Sequence, residues 1–216
     1  MEPLLVNEEV TRAFLAKLHS SNNTSNDNYY LQISTRAKYG GINQVLFRKV
    51  VKLDRVIEEL HRATPLRGFY FDGQHIPHHS LAVYLTPEPR DTDKACRQVC
   101  SAFILKQGQE DFKLASLYLS ECQKSPSQRR ILDIDIDVKE KYLPMRNLLV
   151  LELNVQVAFT IESRGGYHLL CYDLPPKAAK LVHDASKRWG DIDLLKNSLI
   201  PLPGTIQGGV EVQWLE

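Results

Sequence analysis

The sequence predicts an α+β fold, with mixed α/β as the neighbouring class, on three observations. Strand and helix signals are intermixed along the 216 residues rather than strictly alternating. Residues 131–138 carry aspartates at every second position, the period of an extended strand. Residues 176–189 carry Ala178, Leu181, Val182, Ala185 and Trp189 at helical spacing between Pro175-Pro176 and Gly190, the punctuation of an amphipathic helix.

Asn7 is placed to cap a first helix with Val10, Phe14, Leu15 and Leu18 on one face. The polar run at 20–28 ends it and reads as a mobile loop. Strands are expected at 29–34 and 44–47 around a Gly40-Gly41 turn, then a short helix capped by Asp54 and carrying Val56, Ile57 and Leu60. Strand signals return at 68–71 and 80–85, a helix at 91–105, strands at 114–119 and 131–138, and a helix at 145–153. Residues 155–161 and 167–172 read as a hairpin about Ser163-Arg164-Gly165-Gly166. With no internal repeat and no long linker, one domain is expected, an N-terminal α/β part at 1–110 followed by a second part at 111–216. The strand signal at 210–216 stops abruptly, which leaves a fragment of a longer protein open.

Composition is that of an ordinary globular protein, 43% hydrophobic and 25% charged, without an apolar run near the ~20 residues of a membrane span. No membrane association is expected. The start lacks the basic and then long apolar order of a secretory leader, and four cysteines (Cys96, Cys100, Cys122, Cys171) are irregularly spaced. An intracellular protein is expected, cytoplasmic or, in a eukaryote, nuclear or organellar. The formal charge of +1 does not mark a nucleic-acid binder, but an acidic cluster masks local basic surface in such a sum.

The chemistry begins with Asp133, Asp135 and Asp137. On a strand they share one face while Leu132, Ile134, Ile136 and Val138 share the other. Carboxylates two residues apart stand roughly 6–7 Å apart at Cα, near enough to converge on divalent ions. Left unpaired, such a row raises its own pKa values and costs stability. Downstream, Ser163-Arg164-Gly165-Gly166-Tyr167-His168 combines a flexible glycine pair, suited to close phosphate approach, with a guanidinium fork. Asp191-Ile192-Asp193 and Pro203-Gly204-Thr205-Ile206-Gln207-Gly208-Gly209 follow.

In this order the motifs resemble those of the archaeo-eukaryotic primase superfamily, in its primase-polymerase (prim-pol) branch: an Asp-x-Asp strand, a Ser-to-His turn and a later hydrophobic-Asp. The resemblance covers residues 132–209. It implies an archaeo-eukaryotic primase fold, an RRM-like catalytic sheet carrying the acidic strand plus the N-terminal α/β unit. It implies a DNA primase/polymerase using two Mg²⁺ or Mn²⁺ ions, one lowering the pKa of a 3′-hydroxyl and one on the triphosphate, about 3.5–4 Å apart. The resemblance leaves open whether chains are also started de novo or only extended. Asp133, Asp135 and Asp191 are the implied catalytic ligands, with Asp135 and Asp137 an equally phased pair and Asp193 the competitor of Asp191. Ser163, Arg164, Gly165, Gly166 and His168 are the implied nucleotide-binding residues, His168 meeting the triphosphate. The implied partners are a DNA template, nucleoside triphosphates and a helicase or other replication or repair protein. Residues 84–90 match some relatives loosely, with Glu88 in place of Asn, and no role is carried to it.

Each motif alone has a plainer reading: a charged strand that blunts a sheet edge, a glycine hairpin, a packed histidine. An inactive nucleotide- or nucleic-acid-binding module of the same fold, serving replication initiation or defence, is the alternative function, and a two-metal phosphodiesterase or nuclease the third. His75, His78 and His79 with Cys96 and Cys100 lack the matched pairs of a structural zinc site, so zinc is not expected. Arg48, Lys49, Lys52, Arg55, Arg62 and Arg67 give the N-terminal half a basic bias; as a template-strand groove this is a minority reading, and no nucleic-acid-binding residue is assigned.

Overall fold

Helix α1 (Glu8–Asn22) begins as its cap dictates: Val10 N donates to Asn7 Oδ1 at 3.2 Å, and Phe14, Leu15 and Leu18 are buried on one face. The structure is a computed structural model that describes residues 3–22, 28–66, 68–105, 113–127, 131–196 and 198–215. Most of the expected polar loop at 20–28, and Arg67 of the basic group, lie outside the described residues. Strands β1 (Asn28–Thr35) and β2 (Gln44–Lys52) pair antiparallel, and α2 (Val56–Ala63) follows. Asp54 does not cap α2; it lies in the 3₁₀ turn Leu53–Arg55 that precedes it.

The expected strand near 68–71 is only the short hairpin β3 (Tyr70–Phe71) and β4 (Gln74–His75). Strand β5 (Leu81–Leu85) is buried throughout, and α3 (Thr92–Leu105) starts with Asp91 Oδ1 accepting from Lys94 N at 2.7 Å. Residues 114–119, expected as a strand, form helix α4 (Leu114–Lys124) against α3. The segment holds no β-branched residue and is rich in Leu, Ala, Glu, Gln and Lys, so helix propensity decides an apolar run too short for its period to do so.

Strand β6 (Ile131–Ile136) is the acidic strand; α5 (Tyr142–Asn147) and a π-helical turn (Leu148–Glu152) follow. Then come β7 (Val157–Glu162), β8 (Tyr167–Tyr172), α6 (Pro176–Trp189) ended by left-handed Gly190, and β9 (Ile192–Lys196). Four short strands close the chain: β10 (Ile200–Pro201), β11 (Ile206–Gln207), β12 (Val210–Glu211) and β13 (Gln213–Leu215).

The class is α+β, built on two antiparallel sheets. The first runs β12-β11-β5-β1-β2, with β10 also on β5; the second runs β13-β7-β8-β6-β9. The sheets do not divide the chain at residue 110. Strands at 200–211 return to the first sheet and β13 then returns to the second, so the chain passes through each sheet twice.

The period of two in β6 separates two cores. Ile134 and Ile136, with Leu169, Cys171 and Ile192, pack beneath Ala178 and Val182 of α6 and Met145 and Leu149 of the α5 region. On the opposite face Ile131, Phe159, Ile161, Leu170 and Tyr172 join the core of α1, α2 and the first sheet. The aspartates of β6 share this second face, which looks toward the N-terminal unit. Among the described residues no helix is long and apolar enough to cross a membrane.

Candidate functional site

Strand β6 is interior to its sheet, hydrogen-bonded to β8 on one side and to the edge strand β9 on the other. Register therefore decides what each aspartate meets. Asp133 stands between Leu170 and Leu195, and Asp135 between His168 and Asp193. Asp137 lies just beyond the strand end, where its amide donates to Asp191 O at 2.9 Å.

Depth sorts the three carboxylates. Asp133 is 0% exposed and accepts from His168 Nδ1 at 3.1 and 3.2 Å. The Asp135 side chain is 27% exposed, with its Oδ1 3.7 Å from His168 Nε2. Asp137 is exposed. Burial pushes Asp135 up to about 6, because His168 and Lys38 only partly offset its desolvation and its two acidic neighbours. Burial pulls His168 down, but the Asp133, Asp135 and Asp137 carboxylates override it and lift the imidazole to about 9. His168 is thus an imidazolium at neutral pH, shared between two acids.

The later acids divide as well. Asp191 pairs with Lys141 through Oδ2, while its Oδ1 is buried and accepts no hydrogen bond from a described residue. Asp193 faces Asp135 across the ladder but is exposed at the sheet edge, where Ser186 Oγ lies 3.4 Å from its Oδ1.

The β7–β8 turn is tight: Ser163 N donates to Gly166 O at 2.8 Å and Gly165 N to Ser163 Oγ at 3.2 Å. Gly166 lies against β6, where a Cβ would overlap the Ile136 carbonyl. Glycine is required there to bring the turn beside the acids. Arg164 N donates to Gln207 Oε1 at 3.2 Å, its guanidinium donates to Gly208 O, and it lies 4.8 Å from the Tyr39 ring centroid. At Gly208, with φ +62°, a Cβ would meet Arg164 Cδ at 2.6 Å and Tyr39 Cγ at 2.8 Å, so this packing also needs glycine.

Two residues of the N-terminal unit complete the site, Lys38 and Tyr39 on the turn after β1. A Cβ at Gly165 would stand 3.4 Å from Lys38 Nζ, 3.6 Å from Asp137 Oδ1 and 3.8 Å from the Tyr39 hydroxyl. That hydroxyl is buried and makes no hydrogen bond to a described residue. A cation, a carboxylate and a phenol therefore face the glycine turn across one narrow gap. Sequence reasoning missed Lys38, Tyr39 and Lys141; for the first two the available signal was Arg36-Ala37-Lys38-Tyr39-Gly40-Gly41, basic residues beside a glycine turn.

The segment at 203–205 is not part of the gap. Gly204 O accepts from Val6 N and Asn7 N, both at 2.9 Å, and Thr11 Oγ1 donates to Pro203 O at 2.7 Å, so this turn is buried at the start of α1. His79 packs against Gly40 and Gly209, while Cys96 and Cys100 are exposed on α3. Among the described residues no group of three or more His, Cys, Asp or Glu side chains is arranged around a metal position. In this arrangement His168 and Lys141 supply the positive charge for Asp133 and Asp191. Comparisons with protein-family models, curated proteins and solved structures give no match to this chain.

Proposed function

We propose that the chain is a nucleotidyltransferase with the archaeo-eukaryotic primase fold, a primase-polymerase extending a 3′-hydroxyl on a DNA template from nucleoside triphosphates. One observation carries this reading: an acidic strand end and a glycine turn bearing anion-binding donors oppose each other, Asp137 Oδ1 being 3.6 Å from the Cβ position of Gly165. Carboxylates without enough positive charge want cations, and the Arg164 and Lys38 donors want phosphate. A metal-bound triphosphate supplies both.

Carboxylate oxygens are the hard ligands that Mg²⁺ or Mn²⁺ take, though among the described residues the three acids are not closed around one metal position. Asp135 and Asp137 would hold the ions, joined by Asp191 through the Oδ1 that has no hydrogen-bond partner among described residues. Bound there, the ions would supply Lewis acidity toward the attacking hydroxyl and the triphosphate. Asp133 serves differently: buried beneath His168, it keeps the imidazolium charged and oriented for a phosphate oxygen. Arg164, braced by Tyr39 and Gly208, presents its remaining donors to the same anion.

The test is incubation with labelled nucleotides, primed and unprimed DNA templates, and Mg²⁺ or Mn²⁺. Templated product is expected; its absence with both metals overturns the assignment. The ion pairs already made by Asp133 and Asp191 favour a second reading, a nucleotide-binding module of this fold without catalysis, working with a replication or defence partner. Nucleotide binding without product would select it, and shortened template would select a nuclease.

A further inference from the structure

Residues 81–90 are ten consecutive buried positions, of which only the first five belong to β5. Connecting segments normally run over the surface, because a buried one must find partners for every backbone group. This one finds them across the molecule. Thr86 N donates to Tyr30 O at 3.0 Å, Arg90 N to Asn28 O at 2.6 Å, Asn22 Nδ2 to Pro87 O at 3.2 Å, and Ser127 N to Pro89 O at 2.9 Å. Within it lie two charges, Glu88 at 1% exposure and Arg90 at 0%, with Nη1 and Oε1 3.8 Å apart. Burying an ion pair gives up hydration that the pairing scarcely recovers, so stability alone is a poor reason to keep one here.

The other Glu88 oxygen gives a reason. Oε2 accepts from the backbone amide of Ile131 at 3.4 Å, and Ile131 is the first residue of the acidic strand. We propose that Glu88 and Arg90 are positioning residues: Arg90 holds the Glu88 carboxylate, which fixes where β6 begins and so where Asp135 and Asp137 stand relative to Lys38 and Tyr39. The segment leaves the first sheet at β5 and the anchored strand is an interior strand of the second, so the pair ties the two halves of the candidate site together. The effect on nucleotide transfer rests on the function proposed above; the anchoring of β6 does not.

Two double variants of the full chain separate anchoring from charge burial. Glu88→Gln/Arg90→Met and Glu88→Leu/Arg90→Met both remove the buried charges, but only the first keeps an acceptor for Ile131. Hydrogen exchange of the β6 amides is expected to be about 5- to 10-fold faster in the Leu variant than in the Gln variant, the fold-change of one lost hydrogen bond, with β7 unchanged. If transfer activity is present, kcat is expected to be lower by about tenfold or more in the Leu variant at similar nucleotide KM. Equal β6 exchange in the two variants overturns the proposal whatever the activity. An inactive wild-type chain overturns the proposed function and leaves the exchange comparison valid. If neither double variant folds, Glu88→Gln and Glu88→Leu are compared in the same way, and equal exchange in that pair overturns it as well.

Discussion

His168 Nδ1 lies 3.1 Å from Asp133 Oδ2 in a position where Asp133 has no solvent contact, whereas the Asp135 side chain is 27% exposed and Asp137 Oδ1 stands 3.6 Å from the Cβ position of Gly165. The three in-phase aspartates therefore divide into one buried beneath a histidine and two that are less deeply held, Asp135 sharing that histidine at 3.7 Å and Asp137 lying exposed beyond the strand end. Asp135→Asn and Asp137→Asn are expected to remove about 3 kcal/mol or more of transition-state stabilisation, a loss of roughly 100-fold in kcat, with the fold retained. Asp133→Asn is expected to act through His168, weakening nucleotide binding. Steady-state kinetics with Mn²⁺ and nucleotide titration decide this; a 100-fold kcat loss confined to Asp133→Asn would reverse the division.

The same geometry sets a pH dependence in metal-free protein. His168 is lifted from its ordinary 6.5 to about 9, so its stabilising charge is fully present below about 6.5 and lost as pH rises through about 9. Asp135 is lifted from 3.8 to about 6, so the stability tied to its protonated form is lost as pH rises through about 6. Both signs agree: with chelator present, urea midpoints should fall from pH 5 to 7 and again from 7 to 9.5. His168→Gln should flatten the upper fall and Asp135→Asn the lower. A midpoint that rises between pH 7 and 9.5 would contradict the charged His168.

The alternation at 131–138 was enough to place the strand, its apolar face and its acidic face, since a period of two admits one arrangement. It could not rank the aspartates, because depth comes from neighbours: Asp133 is flanked by Leu170 and Leu195, while Asp137 lies past the strand end. Lys38 and Tyr39 were illegible for a related reason. They stand more than 90 residues from the acids in sequence, and their place depends on how the first sheet docks. The return of 200–211 to β5 rests on strands of two residues, too short to carry a period.

Adjacent glycines of the β7–β8 turn should behave differently. A Cβ at Gly166 falls on the Ile136 carbonyl, so Gly166→Ala must push β8 from β6 and is expected to cost about 1–3 kcal/mol in chemical denaturation. At Gly165 the nearest group is the flexible end of Lys38 at 3.4 Å, so Gly165→Ala is expected to fold with a stability change below about 1 kcal/mol. Its methyl group would occupy the gap, and nucleotide KM should rise. Equal stability losses at both positions would show that the turn does not press on β6 as described.

Tyr39 offers Arg164 a ring face at 4.8 Å and a buried hydroxyl in the gap. If the ring braces the guanidinium for phosphate, its removal costs a cation–π contact of about 0.5–2 kcal/mol, or roughly 2- to 30-fold in nucleotide affinity. Tyr39→Leu should therefore weaken nucleotide binding by that factor, and Arg164→Lys should weaken it too, because an ammonium lacks the planar fork that stacks and donates together. Tyr39→Phe keeps the ring and isolates the hydroxyl. Titration with a metal–nucleotide complex is expected to place Tyr39→Phe near wild type and Tyr39→Leu near Arg164→Lys. Equal loss in the Phe and Leu variants would move the role from the ring to the hydroxyl, and no loss in either would remove Tyr39 from the phosphate site.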